Sequence, residues 1–323
     1  MDGAFVTGGS GFVGGRLIGR LVGDGVRVRA LARSDRAAER VREAGAEPVR
    51  GDLDDAGALR RGIAGCEVVF HAAAKVEDWG DPRDFERVNV QGTRNVLAAA
   101  REAGARRLVH VGTEAALLAG RPLVGADESA PLRPDSPVLY SSSKARAEME
   151  VVTAPPGLEA VVVRPRFVWG AGDTTLLPQI VAQMRSGQWA WVGGGRHRTA
   201  TTHVDNTVEG LVLAATRGRD RGVWFVTDGG SVVFRDFLTE LARTQGVEPP
   251  DRSIPAPVAR GAAIAAEALW RALRLPGHPP LTRFASWVAS DECTISIARA
   301  REELGYAPVR TREEGLAELR SAA

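Results

Sequence analysis

"VTGGSGFVGG", residues 6–15, joins the first apolar run of the chain, "AFVTG" (4–8), to the first helical pattern, which begins near Phe12. Its glycines Gly8, Gly11 and Gly14 are spaced by three. Small residues are needed where a strand turns tightly into a helix and the backbone approaches a pyrophosphate, which the amide groups of the helix N-terminus attract. This position of the glycines therefore predicts nucleotide binding by residues 6–15.

Short β-branched runs alternate with longer helical patterns through the first two-thirds of the chain. The runs after residue 15 include "VRVRALAR" (26–33), "EVVFHAA" (67–73), "RLVHVGT" (107–113) and "EAVVVRP" (159–165). This alternation is typical of βαβ units and predicts an α/β fold, a Rossmann-type doubly wound parallel sheet. We expect a dinucleotide-binding domain over residues 1–170, with 200–230 returning to the sheet. A smaller C-terminal substrate-binding lobe would comprise 171–199 and 231–323.

Composition excludes several functional classes. The chain has 323 residues with 42 basic and 40 acidic side chains, a net charge of +2 that does not attract nucleic acid. Cys66 and Cys293 are far apart and have no metal-ligand neighbours, so a reducing cytoplasm is expected and no metal site is predicted. Residues 256–275 form an apolar segment with four charged interruptions. We expect an amphipathic helix packed on its own domain rather than on a membrane surface, and no membrane span.

The residues after the second strand bear on the choice of nucleotide. In "ALARSDR" (30–36) no carboxylate stands at the strand tip to bind a ribose 2′-hydroxyl. Arg33, followed by Ser34 and helped by Arg16 or Arg36, would bind a 2′-phosphate, which makes NADP the first choice. Alternatively Arg33 is solvated, Asp35 reaches the ribose and the cofactor is NAD.

A second motif, "YSSSK" (140–144), supplies acid–base chemistry. Tyr140 and Lys144 lie four residues apart, on one face of a predicted helix. Thr113 ends the "RLVHVGT" strand, at the sheet edge where α/β folds bind ligands. Interconversion of a ketone and an alcohol needs a proton donor, and Lys144 would lower the pKa of the phenol while Thr113 holds the substrate oxygen. The three residues together predict a dinucleotide-dependent oxidoreductase.

The whole chain resembles the extended short-chain dehydrogenase/reductases. The matching stretches are "TGGSGFVG" (7–14), "GDL" (51–53), "HAAA" (71–74), "VNVQGTRNVL" (88–97), "VHVGT" (109–113), "YSSSK" (140–144), "VVRPRFVWGAGD" (162–173) and "HVDN" (203–206). The resemblance implies Tyr140 as acid/base, Lys144 as ribose anchor, Thr113 in the place more often held by serine, and Asn89 as an organiser of the site. Asn89 has an alternative, a buried amide that only joins strand to helix.

The resemblance also completes the set of expected cofactor contacts. Asp52 either accepts a hydrogen bond from the adenine amino group or caps the next helix, while Pro165 and Val168 are implied to line the nicotinamide. The full set is Gly8, Gly11, Phe12, Val13, Gly14, Arg33, Ser34, Asp52, Leu53, Ala72, Ala73, Ala74, Tyr140, Lys144, Pro165 and Val168.

Within this family the chain looks most like the 3β-hydroxysteroid dehydrogenase branch, through "HVDN", "FHAAAKVEDWGD" (70–81) and the apolar segment 256–288. We expect an NAD(P)-dependent oxidoreductase that interconverts a secondary alcohol and a ketone on a hydrophobic molecule such as a steroid, a long-chain 3-keto acid or a secondary metabolite. The alternatives are a nucleotide-sugar epimerase or dehydratase, and a non-catalytic dinucleotide-binding scaffold. Against the former, Thr199 stands where sugar-nucleotide enzymes keep an arginine, and Glu114 is followed by Ala115 instead of a second carboxylate.

Three further expectations concern the substrate, the histidines and assembly. Aromatic residues would either line an apolar substrate site or belong to the core, namely Trp189, Trp191, Trp270, Trp287 and Phe284. Arg166 or Arg196 would bind a substrate carboxylate. His71 and His203 are expected to be structural. The resemblance implies a homodimer built on the helices 84–103 and 140–152.

Overall fold

The computed structural model describes residues 1–322. The strands are β1 (Gly3–Thr7), β2 (Arg27–Ala32), β3 (Glu47–Arg50), β4 (Val68–His71), β5 (Arg107–Val111), β6 (Leu123–Ala126), β7 (Glu159–Pro165), β8 (Val168–Trp169), β9 (Trp191–Val192), β10 (Arg198–Ala200), β11 (Thr202–His203), β12 (Val223–Val226), β13 (Ser231–Val233), β14 (Ser253–Ile254) and β15 (Cys293–Ile295). The helices are α1 (Phe12–Gly23), α2 (Asp35–Glu43), α3 (Ala56–Ile63), α4 (Pro82–Phe85), α5 (Gly92–Glu102), α6 (Leu139–Val152), α7 (Leu176–Arg185), α8 (Val204–Arg217), α9 (Phe234–Thr244), α10 (Ala256–Leu273), α11 (Arg283–Ser290) and α12 (Arg312–Ser321).

Seven strands form one parallel sheet in the order β12-β7-β5-β4-β1-β2-β3, which confirms the predicted Rossmann-type fold. The inner strand β1 is buried along its whole length, as a strand with helices on both faces must be. The chain reverses direction across the sheet between β1 and β4. Ligands of open parallel sheets bind at such a reversal, outside the carboxyl ends of the strands.

Two apolar cores cover the two faces of this sheet. One contains Leu17 and Ile18 of α1 with Leu211 of α8. The other joins α3, α5 and α6, for example through Leu59 and Val96. Burial of a large aliphatic side chain contributes about 1.5–3 kcal/mol, so these layers hold the strand ends in fixed positions.

The helix expected over residues 84–103 is divided. A single turn, α4, passes into a π-helical turn over 86–91 before α5 begins. A π-turn holds one extra residue, and here it contains the buried Asn89. Thr113 lies two residues beyond the end of β5, where its hydroxyl accepts a hydrogen bond from Ala115 N at 3.1 Å and starts a 3₁₀ turn over 114–117.

The later part of the chain builds a third core and also contributes to the first. Trp169, Trp191 and Phe237 belong to a separate cluster that joins α7, α9 and α12. Strand β12 completes the edge of the main sheet. Within the segment expected to form the smaller lobe, Leu304 and Tyr306 pack instead into the core beside α1 and α8, because apolar surface of α8 would otherwise face solvent.

Helix α10 departs from the expectation for residues 256–275. Its buried residues are Ala259, Ala263 and Glu267. Its outward face is almost wholly apolar, so the apolar side of this helix does not pack on its own domain. None of the helices within residues 1–322 has the length and hydropathy needed to span a membrane.

Candidate active site

The glycines of the turn over residues 6–15 have no side chains to cover the backbone. Gly8 has φ of +74°, and a Cβ there would lie 2.6 Å from Ala73 N. A Cβ on Gly14 would lie 2.2 Å from Gly8 O, which is closer than any real contact. Gly11 precedes α1 as its N-cap, so the free amides of the first helical turn face the same space. These features fit the pyrophosphate of a dinucleotide.

One cleft of about 710 Å³ begins at this turn and runs along the carboxyl edge of the sheet to Phe284 and Val288 of α11. It brings together all but two of the residues predicted for the site. Those that line it are Gly8, Gly11, Phe12, Val13, Gly14, Arg33, Asp52, Leu53, Ala72, Ala73, Ala74, Thr113, Tyr140, Lys144, Pro165 and Val168. The two that do not are Ser34, whose hydroxyl accepts from Ala37 N at 3.2 Å as the N-cap of α2, and Asn89.

At the outer end of the cleft, Arg33 is an exposed lining residue. The alternative ribose ligand, Asp35, turns away and pairs with Arg50 at 3.3 Å. Arg16, expected to assist Arg33, is engaged elsewhere, because its guanidinium binds Asp205 at 2.5 Å. Arg33 is therefore the charged group of the "ALARSDR" segment that faces the cleft.

Asp52 also lies in the cleft wall. Its carboxylate accepts from Asp54 N at 2.9 Å, which tightens the turn between β3 and α3. The N-cap of α3 is Asp55, which accepts from Ala58 N at 2.9 Å. Asp52 therefore does not cap the next helix, which was one of the two roles expected for it, because Asp55 does so.

Tyr140 stands in the first turn of α6, beside Thr113 and Glu114. Burial raises the pKa of the Tyr140 phenol well above its usual value, the negative charge of Glu114 raises it further, and a hydrogen bond with Thr113 lowers it. The lowering toward neutrality expected from Lys144 is not found, since desolvation outweighs the favourable contacts. The phenol therefore holds its proton at neutral pH.

Lys144 lies one helical turn further on, with its ammonium turned toward β5. Its Nζ donates to Val111 O at 2.8 Å and lies 3.3 Å from His110 Nε2. Burial lowers the pKa of Lys144 to about 8, although the nearby Glu148 carboxylate raises it. Lys144 is thus a buried cation whose charge is sensitive to mildly alkaline pH.

His71 is a neutral structural histidine, as expected. Burial and the charge of Lys144 lower its pKa to about 3. Thr93 Oγ1 donates to Asn89 O at 2.6 Å, so its lone pairs accept from His71 Nε2 at 3.0 Å, and His71 Nδ1 accepts from Thr7 Oγ1 at 2.7 Å. This series of hydrogen bonds joins the ends of β1 and β4 behind the cleft.

Asn89 uses its whole amide group to fasten the loop after β4. Its Oδ1 accepts from Lys75 N at 2.7 Å, and its Nδ2 donates to Lys75 O at 3.0 Å and to Ser143 Oγ at 2.9 Å. Ser143 lies next to Lys144 on α6. Asn89 therefore joins helix α6 to the loop after β4 from outside the cleft.

Two buried ion pairs involve helix α6 and the turn after β5. Arg164 binds Glu148 of α6, with side chains only 3% and 1% exposed. Arg166 binds Glu114, and its guanidinium also donates to Thr199 Oγ1 at 3.3 Å. Arg166 is therefore already paired. It could bind a substrate carboxylate, as expected from the sequence, only if its ion pair with Glu114 were broken.

These ion pairs were not predicted from the sequence. The available signal was the pair of arginines at the end of the otherwise apolar strand "EAVVVRPR" (159–166), since an arginine in a buried strand needs a buried partner. The sequence does not identify the partners, which come from α6 and from the turn after β5.

The aromatic residues divide between the cleft and the core. Phe284 lines the cleft and meets the Tyr140 ring edge-on, with 5.5 Å between ring centroids. Trp287 packs behind it with Val138. The rings of Trp189 and Trp191 meet in the third core, with 5.4 Å between their centroids. Most of the predicted aromatic set is therefore structural.

His203, Asp205 and Glu318 lie close enough to one another to suggest a cation site. Arg16 binds both carboxylates, at 2.5 Å and 3.2 Å, and Arg310 lies 3.3 Å from Asp205. Both carboxylates are thus already paired with arginines. The cluster joins α1, α8 and α12 by charge.

Comparisons with known proteins agree with this geometry. Residues 4–226 match the model of the NAD dependent epimerase/dehydratase family. The chain is 48% identical over 320 residues to 4-hydroxy-2-methyl-3-oxo-4-farnesyl-3,4-dihydroquinoline-1-oxide ketoreductase of Stigmatella aurantiaca, covering 98% of this chain and 96% of the relative. It is 36% identical over 332 residues to 2-alkyl-3-oxoalkanoate reductase of Stenotrophomonas maltophilia, covering 98% of each.

A third relative is the decarboxylating sterol-4-alpha-carboxylate 3-dehydrogenase of Dictyostelium discoideum, 30% identical over 329 residues, with 99% of this chain and 100% of the relative covered. All three relatives are named as reductases or dehydrogenases, which supports an enzyme rather than a scaffold. With the seven-stranded sheet, the glycine turn and the full-length similarity, this chain belongs to the NAD dependent epimerase/dehydratase family, as an extended short-chain dehydrogenase/reductase of the 3β-hydroxysteroid dehydrogenase-like branch.

Proposed function

We propose that this protein is an NADP(H)-preferring reductase that interconverts a ketone and a secondary alcohol on a hydrophobic molecule, with Tyr140 as the acid/base. One observation carries the proposal. A single cleft connects the glycine turn, the partly buried phenol of Tyr140 and an apolar end formed by Phe284 and Val288. Cofactor, proton donor and hydrophobic substrate can therefore meet in one place.

The substrate class is supported by the names of the relatives. A farnesyl-substituted dihydroquinoline oxide, a 2-alkyl-3-oxoalkanoate and a sterol carboxylate each combine an oxygenated centre with a hydrocarbon portion. The cleft has the same division, with Thr113 and Tyr140 near its middle and the α11 side chains at one end. We propose the residues 171–199 and 231–323 as the lobe that selects the substrate.

When bound beside Pro165 and Val168, a nicotinamide would supply the hydride for reduction of the carbonyl carbon. The phenol of Tyr140 donates its proton to the carbonyl oxygen. Thr113 Oγ1 donates to Glu114 Oε2 at 2.9 Å, so the Thr113 oxygen can accept and orient the phenolic O–H. Because the pKa of Tyr140 is raised, the phenol is protonated at neutral pH, which favours reduction over oxidation.

Lys144 is proposed to bind the cofactor ribose by a charge-assisted hydrogen bond, which is roughly twice as strong as a neutral one. Its pKa of about 8 makes this contact depend on pH. We expect kcat/KM for the dinucleotide, which reports the free enzyme, to fall as pH rises through about 8 because the ammonium loses its proton. The measurement is a pH profile from 6 to 10. In Lys144→Arg the remaining activity should show no such fall, and an identical fall would assign the titration to another group.

Arg33 is proposed to bind the 2′-phosphate of NADP. We expect Arg33→Asp to weaken NADPH binding at least tenfold, because a charge-assisted contact becomes a repulsive one, about 1.4 kcal/mol or more. NADH affinity should stay the same or improve. Fluorescence titration of both dinucleotides measures this, with Arg36→Asp as the matched control on the neighbouring, non-lining arginine. Equal losses for NADPH and NADH would contradict a 2′-phosphate contact.

The nucleotide-sugar alternative gains no support from the site. Arg198, the arginine nearest the expected diphosphate position, is exposed and donates to Ser231 Oγ at 2.9 Å across the strand pair β10 and β13. Thr199 is buried against Arg166. Neither residue lines the cleft described above, and Glu114 is paired with Arg166.

Two further proposals concern the setting. We propose a homodimer in which α6 and the helical segment 82–102 pack against their counterparts, an arrangement supported by the 42% exposed side chain of Met149 on α6. Cys66 and Cys293 are both free and buried, which suits the proposed reducing, cytoplasmic setting.

A direct assay tests the proposed activity. Oxidation of NADPH is followed with a 2-alkyl-3-oxo fatty acid, a 3-ketosteroid and a hydrophilic ketone matched in carbonyl reactivity. Turnover should require an apolar portion on the substrate. A preference for the hydrophilic ketone, or tight binding of UDP-glucose with no turnover of the hydrophobic ketones, would contradict the proposal.

A further inference from the structure

Glu114 and Arg166 form an ion pair within the wall of the cleft. Glu114 begins the turn after β5, and Arg166 follows the last residue of β7. Both residues line the cleft, although their side chains are only 4% and 3% exposed. Their charges therefore lie just beneath the surface that a substrate would contact, where solvent screens them little.

The other charged groups of the cleft lie where the cofactor is proposed to bind. Among the described residues, the charged ones that line the cleft are Arg33, Asp52, Asp54, Arg87, Glu114, Lys144 and Arg166. The first four lie on the β2–β3 side of the cleft, where Arg87 binds Asp54 at 2.9 Å. Lys144 is proposed to bind the ribose. The pair of Glu114 and Arg166 is thus left to act on the substrate.

A series of polar contacts connects this ion pair to the phenol of Tyr140. Thr113, which forms a hydrogen bond with Tyr140, donates from Oγ1 to Glu114 Oε2 at 2.9 Å. The other carboxylate oxygen, Oε1, accepts from Arg166 Nη1, while Arg166 Nη2 donates to Thr199 Oγ1 at 3.3 Å. A carboxylate two carbons from a ketone held by Tyr140 would therefore come close to Glu114.

The ion pair offers no free charge to a substrate. Glu114 is the carboxylate that compensates Arg166 among the described residues, where the Nε atom of Arg166 is buried without a hydrogen-bond partner. A substrate carboxylate would lose its hydration, would be repelled by Glu114, and would find Arg166 already neutralised. A neutral ketone incurs none of these costs.

We infer that the Glu114–Arg166 pair selects ketones that carry no carboxylate beside the reacting carbonyl. This selectivity rests on the proposed function and narrows its hydrophobic substrates to neutral ones. Glu114 determines the specificity, because its charge decides whether Arg166 is available to a substrate anion. Arg166 in turn limits the repulsion that Glu114 exerts in the cleft.

Calorimetric titration of the NADPH-loaded protein tests this selectivity. The two probes are 3-hydroxydodecanoate and its methyl ester, which differ in charge near the reacting carbon and cannot transfer a hydride to a cofactor that is already reduced. We expect the parent chain to bind the ester at least about tenfold more tightly than the acid. In Glu114→Gln this preference should fall at least tenfold, which corresponds to about 1.4 kcal/mol, because Arg166 becomes available to the carboxylate.

Further variants establish the sign of the effect. Arg166→Gln should increase the preference for the ester, because Glu114 is then uncompensated, and Glu114→Gln/Arg166→Gln should lie between the two single variants. The matched control is Glu148→Gln, which removes the carboxylate of the other buried ion pair, whose residues do not line the cleft. It should leave the preference within about twofold of the parent, since sites without shared partners act independently. Melting temperatures show which variants fold, and either single variant that folds decides the sign.

The outcomes separate this selectivity from the proposed reaction. Equal affinity of the parent chain for the two probes, or tighter binding of the acid, would overturn the selectivity. So would a shift of the same sign in Glu114→Gln and Arg166→Gln, since loss of structure rather than charge would then explain both. Reduction of hydrophobic ketones by NADPH is measured separately. Turnover without discrimination between the probes rejects the selectivity alone, whereas discrimination without turnover of any ketone rejects the proposed reaction alone.

Discussion

Replacing Tyr140 by Phe is expected to lower kcat for ketone reduction roughly 10³-fold, within the range typical for loss of a general acid. The phenyl ring keeps its edge contact with Phe284, so the shape of the cleft is retained. The proton donor is lost, and no neighbouring group replaces it, because Thr113 is committed as donor to Glu114. Steady-state kinetics and a dinucleotide titration measure the two effects, and the Kd of the cofactor should change by no more than about twofold.

The chain offers a matched control, since Tyr306 is its second and last tyrosine. Its hydroxyl donates to Thr227 O at 2.9 Å in the core of the main sheet. Tyr306→Phe should lower the free energy of unfolding by about 1 kcal/mol and leave kcat unchanged. Retention of more than about a tenth of kcat in Tyr140→Phe would remove Tyr140 from the proposed role of general acid.

The second large effect concerns stability. Glu148→Leu is expected to lower the free energy of unfolding by about 3–5 kcal/mol, because Arg164 remains buried without its counter-charge. Glu148 is all the more important to Arg164 because the Nη1 atom of Arg164 is buried and has no hydrogen-bond partner among the described residues. The double variant Arg164→Met/Glu148→Leu should regain most of the loss, because two apolar side chains can fill the same volume. Urea unfolding of the four proteins forms a double-mutant cycle.

An exposed pair provides the comparison. Glu39 and Arg42 lie 3.1 Å apart on α2, with both side chains more than half exposed. Glu39→Leu should change stability by less than about 1 kcal/mol, since solvent screens such pairs. If Glu148→Leu lowers the free energy of unfolding no more than Glu39→Leu does, the buried ion pair does not stabilise the fold as proposed.

Glu148 also affects Lys144, whose pKa it raises. Loss of Glu148 should therefore lower the pKa of Lys144 below about 8 and move the fall of kcat/KM to lower pH. This shift distinguishes an electrostatic link from mere loss of stability, which would reduce activity without moving the pH profile.

Much of the site could be predicted because its elements are local. The spacing of Gly8, Gly11 and Gly14 can be recognised within a stretch of ten residues, because the tight packing of one turn on one helix requires glycine at these positions. Tyr140 and Lys144 share a helix face by their separation alone. The position of Thr113 after a strand places it at the carboxyl edge of the sheet, where the structure brings all three into one cleft.

Predictions that needed knowledge of distant partners were less complete. Arg16 carries a guanidinium that could bind a phosphate, but this group binds Asp205, which lies 189 residues away along the chain. Arg166 was considered for a substrate carboxylate but has Glu114 as its buried partner. Similarly, most of the tryptophans assigned to a possible substrate site pack into the core, because hydrophobicity does not distinguish a pocket wall from an interior.

The family of this chain and the positions of its proposed cofactor turn and proposed proton donor follow from short-range patterns, in which steric and helical periodicity act over a few residues. The protonation of Tyr140, the pKa of Lys144, the neutralisation of the two buried arginines and the apolar outward face of α10 depend instead on desolvation and on distances between segments far apart in the chain. Those quantities exist once the segments have packed, because burial and Coulomb interaction act through space rather than along the backbone.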